Sequence, residues 1–529
     1  MRSKEIIETN VLVIGSGLAG CVIALELAEQ GIKTLLITRA KDIEESNTKH
    51  AQGGIIYKGK GDPQLLEKDI IKAGAGLSDK KAVGILAREG PIAVEDILIK
   101  KCGVLFSKDK KGNFHLTKEA AHSCRRIIHV KDETGRVIEE KIIKKVKENP
   151  YIKIYSNHTL IDLLTTPHHL KKSIKRPIDF PKSITCVGAY ILDNQKGKVK
   201  SFIAKKTVLA TGGIGQLFLR TVNSEVARAD GLYTAYRAKA KLKNIEFIQF
   251  HPTSFCHRDI SNFLISEAIR GEGAQLKNKK GELFMNKYDK RGSAAPRDIV
   301  ARGIFKELLK SKETYVLLDI ASYISEKKIK SHFPNIYSTC LRYGIDITKE
   351  PLPVIPTAHY FCGGVKVDED SRTNINNLYA VGEVSCTDLH GANRLASTSL
   401  LECLVWSRRC ARDIFLTISD SKSIDPRIIR PWIYTHKAKS FDPALIQHDW
   451  FVIKSIMWNY VGIIRTVKGL KRAVDDLHYL QFRIKKFYKD IKICDELIGL
   501  RNGVGAALII AKAALRNKKN RGCHFIKKG

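Results

Sequence analysis

Residues 9–39, TNVLVIGSGLAGCVIALELAEQGIKTLLITR, constrain the fold of this chain more than any other stretch. An apolar run, NVLVIG, leads into a glycine turn, an amphipathic helical segment follows, and a second apolar run closes the unit. That order is a βαβ unit, and it predicts a parallel sheet with helices on both faces. Gly15, Gly17 and Gly20 form G-x-G-x-x-G where the strand meets the helix. In this setting the glycines allow a tight turn and the close approach of a pyrophosphate to free amides at the positive end of the helix dipole. The unit is therefore predicted to bind a dinucleotide.

Two further features choose between dinucleotides. An acidic residue at the end of the second strand would bind a nicotinamide dinucleotide's ribose, but the chain has Thr38-Arg39 there. A second glycine element, Ala210–Gly213 (ATGG), follows the apolar run TVL and is the downstream companion of a two-part flavoprotein fold. Together they favour FAD.

At 529 residues the chain is too long for one core. Segments 151–167 and 184–211 read as alternating strands, with the turn NQKGK between the last two. From about Ile245 to Thr357 the pattern changes to helices and loops, until NLYAVGE at 377–383 restores the first pattern. From about Asp425 the chain shows helical apolar spacing without strands. The expected class is α/β, with a Rossmann-like FAD-binding domain split between 1–244 and 359–424. An α+β capping and substrate domain at 245–358 interrupts it, and a C-terminal helical bundle occupies 425–529.

The opening MRSKEIIETN is charged and runs into the first strand without a signal-peptide pattern, and no uninterrupted apolar run reaches the ~20 residues of a membrane span. A cytoplasmic protein with no membrane association is expected. The 12 cysteines occur singly, with no C-x-x-C spacing, so reduced thiols and no metal site are expected. A net charge of +36 raises the question of nucleic acid. The lysines are spread along the chain and no nucleic-acid-binding motif accompanies them, which favours a solvated basic surface.

Seven strings occur in an order that resembles the succinate dehydrogenase, fumarate reductase and aspartate oxidase flavoprotein family: NTKHAQGG (47–54), EFIQFHPT (246–253), EAIRGEG (267–273), APRDIVAR (295–302), HYFCGG (359–364), VGE (381–383) and GANRLASTSLLE (391–402). The ending RGCHF is similar to the family's terminal RGxH motif. The resemblance implies that FAD is held by Ser16, Leu18 and Ala19 of the glycine turn, by Arg39, and by the run Asn47, Thr48, Lys49, His50, Ala51, Gln52, Gly53 and Gly54. Asp230, Glu383, Ser399 and Leu400 complete the set. Membrane-complex members carry covalent flavin on a histidine whose matching position is Asn47, so noncovalent FAD is implied. Ala229 stands where the family usually has glycine.

Oxidation of a small dicarboxylate requires cations and hydrogen-bond donors around its carboxylates, and arginine's planar fork supplies both. The resemblance assigns substrate binding to His251, Ser266, His359 and Arg394, and proton transfer to Arg297 with Glu267 and Arg270 as relay. Alone, such histidines and arginines are more often structural or surface groups. Segment 116–136, LTKEAAHSCRRIIHVKDETGR, resembles the amino-acid-oxidising members, in which the glutamate here numbered Glu119 orients the substrate amino group. The implied reaction takes a hydride from Cα of L-aspartate, with loss of the amino or a Cβ proton. Oxygen or fumarate is the final acceptor, and the imine product feeds quinolinate synthase in NAD biosynthesis. The alternatives are a soluble fumarate reductase or succinate dehydrogenase flavoprotein, which shares His251, Arg297, His359 and Arg394 and is disfavoured by Asn47 and the Glu119 segment, and a basic nucleic-acid-binding protein that keeps a flavin fold without turnover.

Overall fold

The computed structural model describes residues 6–119, 121–166, 168–170, 184–421, 423–434 and 442–527. Most of the charged opening, residues 1–5, lies outside them. Strand β1 (Ile6–Ile14), helix α1 (Leu18–Glu29) and strand β2 (Thr34–Ile37) form the expected βαβ unit, with Val11 to Ile14 paired in parallel with Thr34 to Ile37. Strands β3 (Ile152–Tyr155), β4 (His158–Thr166), β5 (Thr185–Asp193) and β6 (Lys198–Leu209) extend the sheet to the order β3-β2-β1-β6-β5-β4. The pairs β1–β2, β2–β3 and β1–β6 are parallel, whereas β4–β5 and β5–β6 are antiparallel. Later the chain returns, and Leu378–Ala380 pairs in parallel with β6.

Helix α1 departs from the amphipathic expectation, because ten of its twelve residues are buried. The sheet covers one side of it and the helix Ser399–Thr417 the other, with Ser407 donating to the Ala19 carbonyl at 3.0 Å. A helix enclosed on both sides needs apolar residues all round, and LAGCVIALELAE provides them.

Between the two parts of this sheet the chain builds a second, antiparallel one, the β part of the α+β segment expected there, although its strands read as helices and loops in the sequence. It comprises β7 (Ile248–His257), β8 (Ile260–Leu264), β9 (Gln275–Lys277), β10 (Val316–Asp319) and β11 (Leu352–Phe361), in the order β8-β7-β11-β10-β9. Strand β11 runs across the boundary expected at 358/359. Its Pro353 and Pro356 obscure a strand in the sequence, since proline interrupts ladder hydrogen bonding. Helices α2 (Asp230–Arg237), α3 (Glu267–Gly271), α4 (Arg297–Ser311), α5 (Glu326–His332) and α6 (Pro334–Arg342) follow in chain order. The last four pack with the second sheet, around Phe255, Leu276, Val300, Ile304, Leu318 and Ile336.

Helix α7 (Ser399–Thr417) returns to the first sheet, and α8 (Pro443–Tyr460), α9 (Val467–Asp490) and α10 (Asp495–Arg516) then form the C-terminal helices. Among the described residues α10 is long and apolar enough to cross a membrane, although Arg501 and Lys512 interrupt its apolar run. It is instead a core helix, with 83% of the apolar stretch buried. A side chain at Gly505 would come within 2.0 Å of the Tyr233 ring, so the glycine lets α2 pack directly against it.

Candidate active site

A cavity runs along the C-terminal ends of β1 and β2, where an open α/β sheet positions its ligands. Gly15, Ser16, Gly17, Leu18 and Ala19 line one end, with Arg39 beside them, and His359 and Arg394 line the other. Gly15 has φ +119°, and a side chain there would meet the Ala210 carbonyl at 2.1 Å, so the two glycine elements predicted separately meet at this turn. Gly20 does not line the cavity. It allows the helix to sit against the Gly15 carbonyl, which an added Cβ would approach to 1.9 Å. Arg39 Nε and Thr211 Oγ1 are buried without a hydrogen-bond partner among the described residues. A narrow cavity, an open helix N-terminus and orphaned donors fit an FAD whose pyrophosphate lies at the turn.

The run 47–54 divides into two roles. Asn47, Thr48, His50 and Ala51 line the cavity. Asn47 Oδ1 accepts from Ser224 N at 2.9 Å and its Nδ2 donates to Glu383 at 3.3 Å. Lys49 instead lies 3.9 Å from Glu44, and Gln52 is buried outside the lining. Gly53 and Gly54 make room for other groups, because side chains there would meet Glu119 Oε1 at 2.8 Å and Ile127 Cγ2 at 2.3 Å. Their spacing in the motif hides this purpose, which depends on residues 66 and 73 positions further along the chain.

Asp230, Glu383, Ser399 and Leu400 all line the cavity. Asp230 is already engaged: Arg228 bonds its Oδ2 at 2.9 Å, and Asn502 of α10 donates to its Oδ1 at 2.9 Å. Ala229 adopts φ 68° and ψ 18°, the left-handed conformation for which glycine is usually required. Burial pushes the Glu383 carboxyl up to about 7.

At the far end the second sheet meets the first. His251 and His359 lie on the paired strands β7 and β11, with ring centroids 5.3 Å apart. Arg394 Nη2 donates to His359 Nε2 at 2.9 Å. A guanidinium only donates, so His359 carries its proton on Nδ1, which has no partner. His251 Nε2 and Arg394 Nε are likewise buried without partners. Burial, reinforced by Arg297, holds both imidazoles well below their ordinary pKa, so both are neutral near pH 7.

Arg297, the first residue of α4, donates through Nε to Glu267, whose other oxygen lies 3.7 Å from Arg270 Nη2. Burial opposes the Glu267 charge, but the two guanidiniums outweigh it and hold the carboxyl below its ordinary range. Ser266 Oγ accepts from Ala268 N at 3.3 Å, capping α3. Glu119 is 4% exposed, and its Oε2 accepts from Ser397 Oγ at 2.7 Å. Burial raises its pKa, with Glu267 adding to the effect. The structure thus brings Glu119 close to Glu267, Arg297 and Arg394, of which only Arg394 lines the cavity itself.

Three supporting residues, Gln249, Tyr360 and Glu402, are not among the residues the sequence singles out. Gln249 Oε1 accepts from Arg297 Nη1 at 3.2 Å while its Nε2 donates to Asn393 Oδ1 at 2.7 Å, fixing the arginine's orientation. The Arg394 guanidinium lies 4.3 Å from the Tyr360 ring centroid, and Tyr360 donates to Glu402 at 3.0 Å. Gln249 and Tyr360 each lie within two residues of a singled-out histidine, so the signal was adjacency within a motif. Glu402 closes the string GANRLASTSLLE, where nothing marks it as buried.

Comparison with known proteins identifies the relatives of the chain. The profile described as FAD binding domain matches residues 10–400, and the one described as fumarate reductase flavoprotein C-term matches 452–527. "L-aspartate oxidase 1" of Ralstonia nicotianae is 41% identical, over 98% of this chain and 94% of its own length. "L-aspartate oxidase" of Yersinia pestis is 40% identical, over 99% and 97%. The structure of E. coli quinol fumarate reductase superposes with a TM-score of 0.87 at 25% identity, covering 99% of this chain and 92% of that one. Full-length identity of this order, over a cavity that fits FAD, shows that the chain belongs to the L-aspartate oxidases of the succinate dehydrogenase/fumarate reductase flavoprotein family.

Proposed function

We propose that the chain oxidises L-aspartate to iminoaspartate. The observation that carries this reading is the buried Glu119, which adds a carboxylate to an otherwise dicarboxylate-binding, donor-rich pocket. Arg394, Arg297 and the unpartnered His359 Nδ1–H hold the two substrate carboxylates, with His251 and the Ser266 hydroxyl beside them. Glu119 pairs with the α-ammonium, an interaction that succinate lacks. FAD, held by Ser16, Asn47, Glu383 and the other residues lining the cavity, would supply the hydride acceptor, with oxygen (giving hydrogen peroxide) or fumarate (giving succinate) as the final acceptor.

Arg297 moves the substrate proton. To take a proton from the substrate, the Arg297 guanidinium must first give one up, and Glu267, bonded to Arg297 and close to Arg270, is the carboxylate that accepts it. The second sheet excludes water from the reacting carbon. Asn47 offers an amide where a covalent link would need an imidazole, so FAD is held noncovalently. We assign the enzyme to the cytoplasm, where its imine product feeds quinolinate synthase. In the test, purified enzyme with L-aspartate and oxygen yields hydrogen peroxide and, after imine hydrolysis, ammonia. Turnover of succinate alone contradicts the reading.

A further inference from the structure

We propose that Asp132 is the clasp that closes the capping segment over the substrate end of the cavity, and so positions Glu119 opposite Arg297. Asp132 belongs to the first domain, is 2% exposed, and has partners in the second. Its Oδ2 accepts from Ile336 N at 2.8 Å and its Oδ1 from Asn335 N at 3.3 Å. These amides open α6, whose own N-cap, Phe333, provides no side-chain acceptor. A carboxylate there satisfies orphan amides and faces the positive end of the helix dipole. Asp132 therefore caps a helix of the other domain.

A second contact lies beside the first. The His115 ring packs edge-on against His332, at the end of α5, with centroids 5.6 Å apart. His115 is held by His129 at 2.9 Å, and His129 by the Lys131 carbonyl at 3.0 Å. Backbone bonds from His115 N to Ser107 O (2.9 Å) and Ser107 N to His129 O (2.8 Å) make these residues one ribbon. Farther along, the ribbon pairs Thr117 N with Ile127 O at 2.9 Å, and Glu119 follows within two residues.

One strap thus grips the capping segment at one end and carries Glu119 at the other. The capping segment brings His251, Glu267 and Arg297. Loosening the clasp lowers the fraction of molecules in which both halves of the site are assembled, and apparent affinity falls by that fraction. Saturating substrate, which binds the closed form, restores it. Asp132 is therefore a positioning residue.

The inference rests on the proposed reaction only for its kinetic readout. Asp132→Ala is expected to raise KM for L-aspartate about tenfold or more while kcat falls less than about threefold. Asp132→Asn, which keeps an oxygen acceptor, is expected to lie between. Hydrogen exchange of the 335–342 amides should quicken in unliganded Asp132→Ala holoenzyme and slow again when succinate is added. A KM within about twofold of wild type, or a loss confined to kcat, overturns the clasp. Should Asp132→Ala fail to fold, Asp132→Asn and His332→Ala make the same comparison, and unchanged KM in both overturns it. A wild-type enzyme inactive on aspartate contradicts the reaction alone, because exchange with and without succinate still decides the clasp.

Discussion

Ser397 donates its hydroxyl to one oxygen of Glu119 at 2.7 Å, leaving the other beside Gly53, where no side chain fits. A carboxylate fixed through one oxygen presents the second in a set direction. Glu119→Gln should lower kcat/KM for L-aspartate about ten- to hundredfold, the scale of a charge-assisted hydrogen bond. Succinate binding should not weaken. Ser397→Ala should show a smaller loss of the same kind, and parallel inhibition constants for succinate check both variants.

Gln249 orients Arg297 without belonging to the proton path. Gln249→Leu should reduce kcat about tenfold with little change in KM, as expected when an interaction made at the transition state is disturbed. Arg297→Lys should cost about a hundredfold or more in kcat, because a lysine cannot reproduce the forked contacts to Glu267 and Gln249. Single-turnover flavin reduction separates these losses from product release.

The Tyr360 ring supports the Arg394 guanidinium, and its hydroxyl is held by Glu402, which also bonds His390 at 2.8 Å and Thr387 at 2.6 Å. Tyr360→Phe keeps the ring and should change KM by less than about threefold. Tyr360→Leu removes the cation–π contact, worth about 1–2 kcal/mol in a desolvated site, and should raise KM about tenfold. Initial rates over a range of aspartate concentrations distinguish the two.

Glu139 is fully buried, bonded through one oxygen to Ser46 at 2.8 Å, and burial pushes its carboxyl up to about 8. Its folded pKa lies above the unfolded value of about 4.3, so the folded state holds the extra proton between these limits and stability is lost as pH rises through them. Glu139→Gln mimics the protonated form. It should flatten this part of the profile and be more stable than wild type by about 1 kcal/mol or more at pH 8, with the difference vanishing near pH 4. Denaturant midpoints across that range measure it.

Ala229 holds a left-handed conformation at φ 68° immediately before α2. Ala229→Gly relieves about 1–2 kcal/mol of backbone strain but adds unfolded-chain entropy of about 0.4–1 kcal/mol. The net expectation is a stabilisation of about 0.5–1 kcal/mol, read from the thermal midpoint of the holoenzyme.

The first βαβ unit was legible because its signals are local: apolar runs, three glycines and a helix N-terminus lie within 31 residues. An α+β segment was expected for 245–358, but its individual strands were not legible, since β7 pairs with β11 about a hundred residues later and prolines interrupt the β11 pattern. Similarly, His251, His359, Arg297 and Arg394 sit in recognisable strings, but what orients them comes from elsewhere in the chain. Glu402 reads as a helix-surface charge until the structure encloses it between His390 and Tyr360. Gly53 and Gly54 show the converse, because a flavin motif suggested their use and packing against Glu119 and Ile127 explains it.

Anaerobic addition of L-aspartate to the purified holoenzyme, with succinate in parallel, tests the central claim most directly. Aspartate should bleach the oxidised flavin absorption and succinate should not. Bleaching by succinate without bleaching by aspartate would contradict it, and would leave Glu119 with no part in substrate choice.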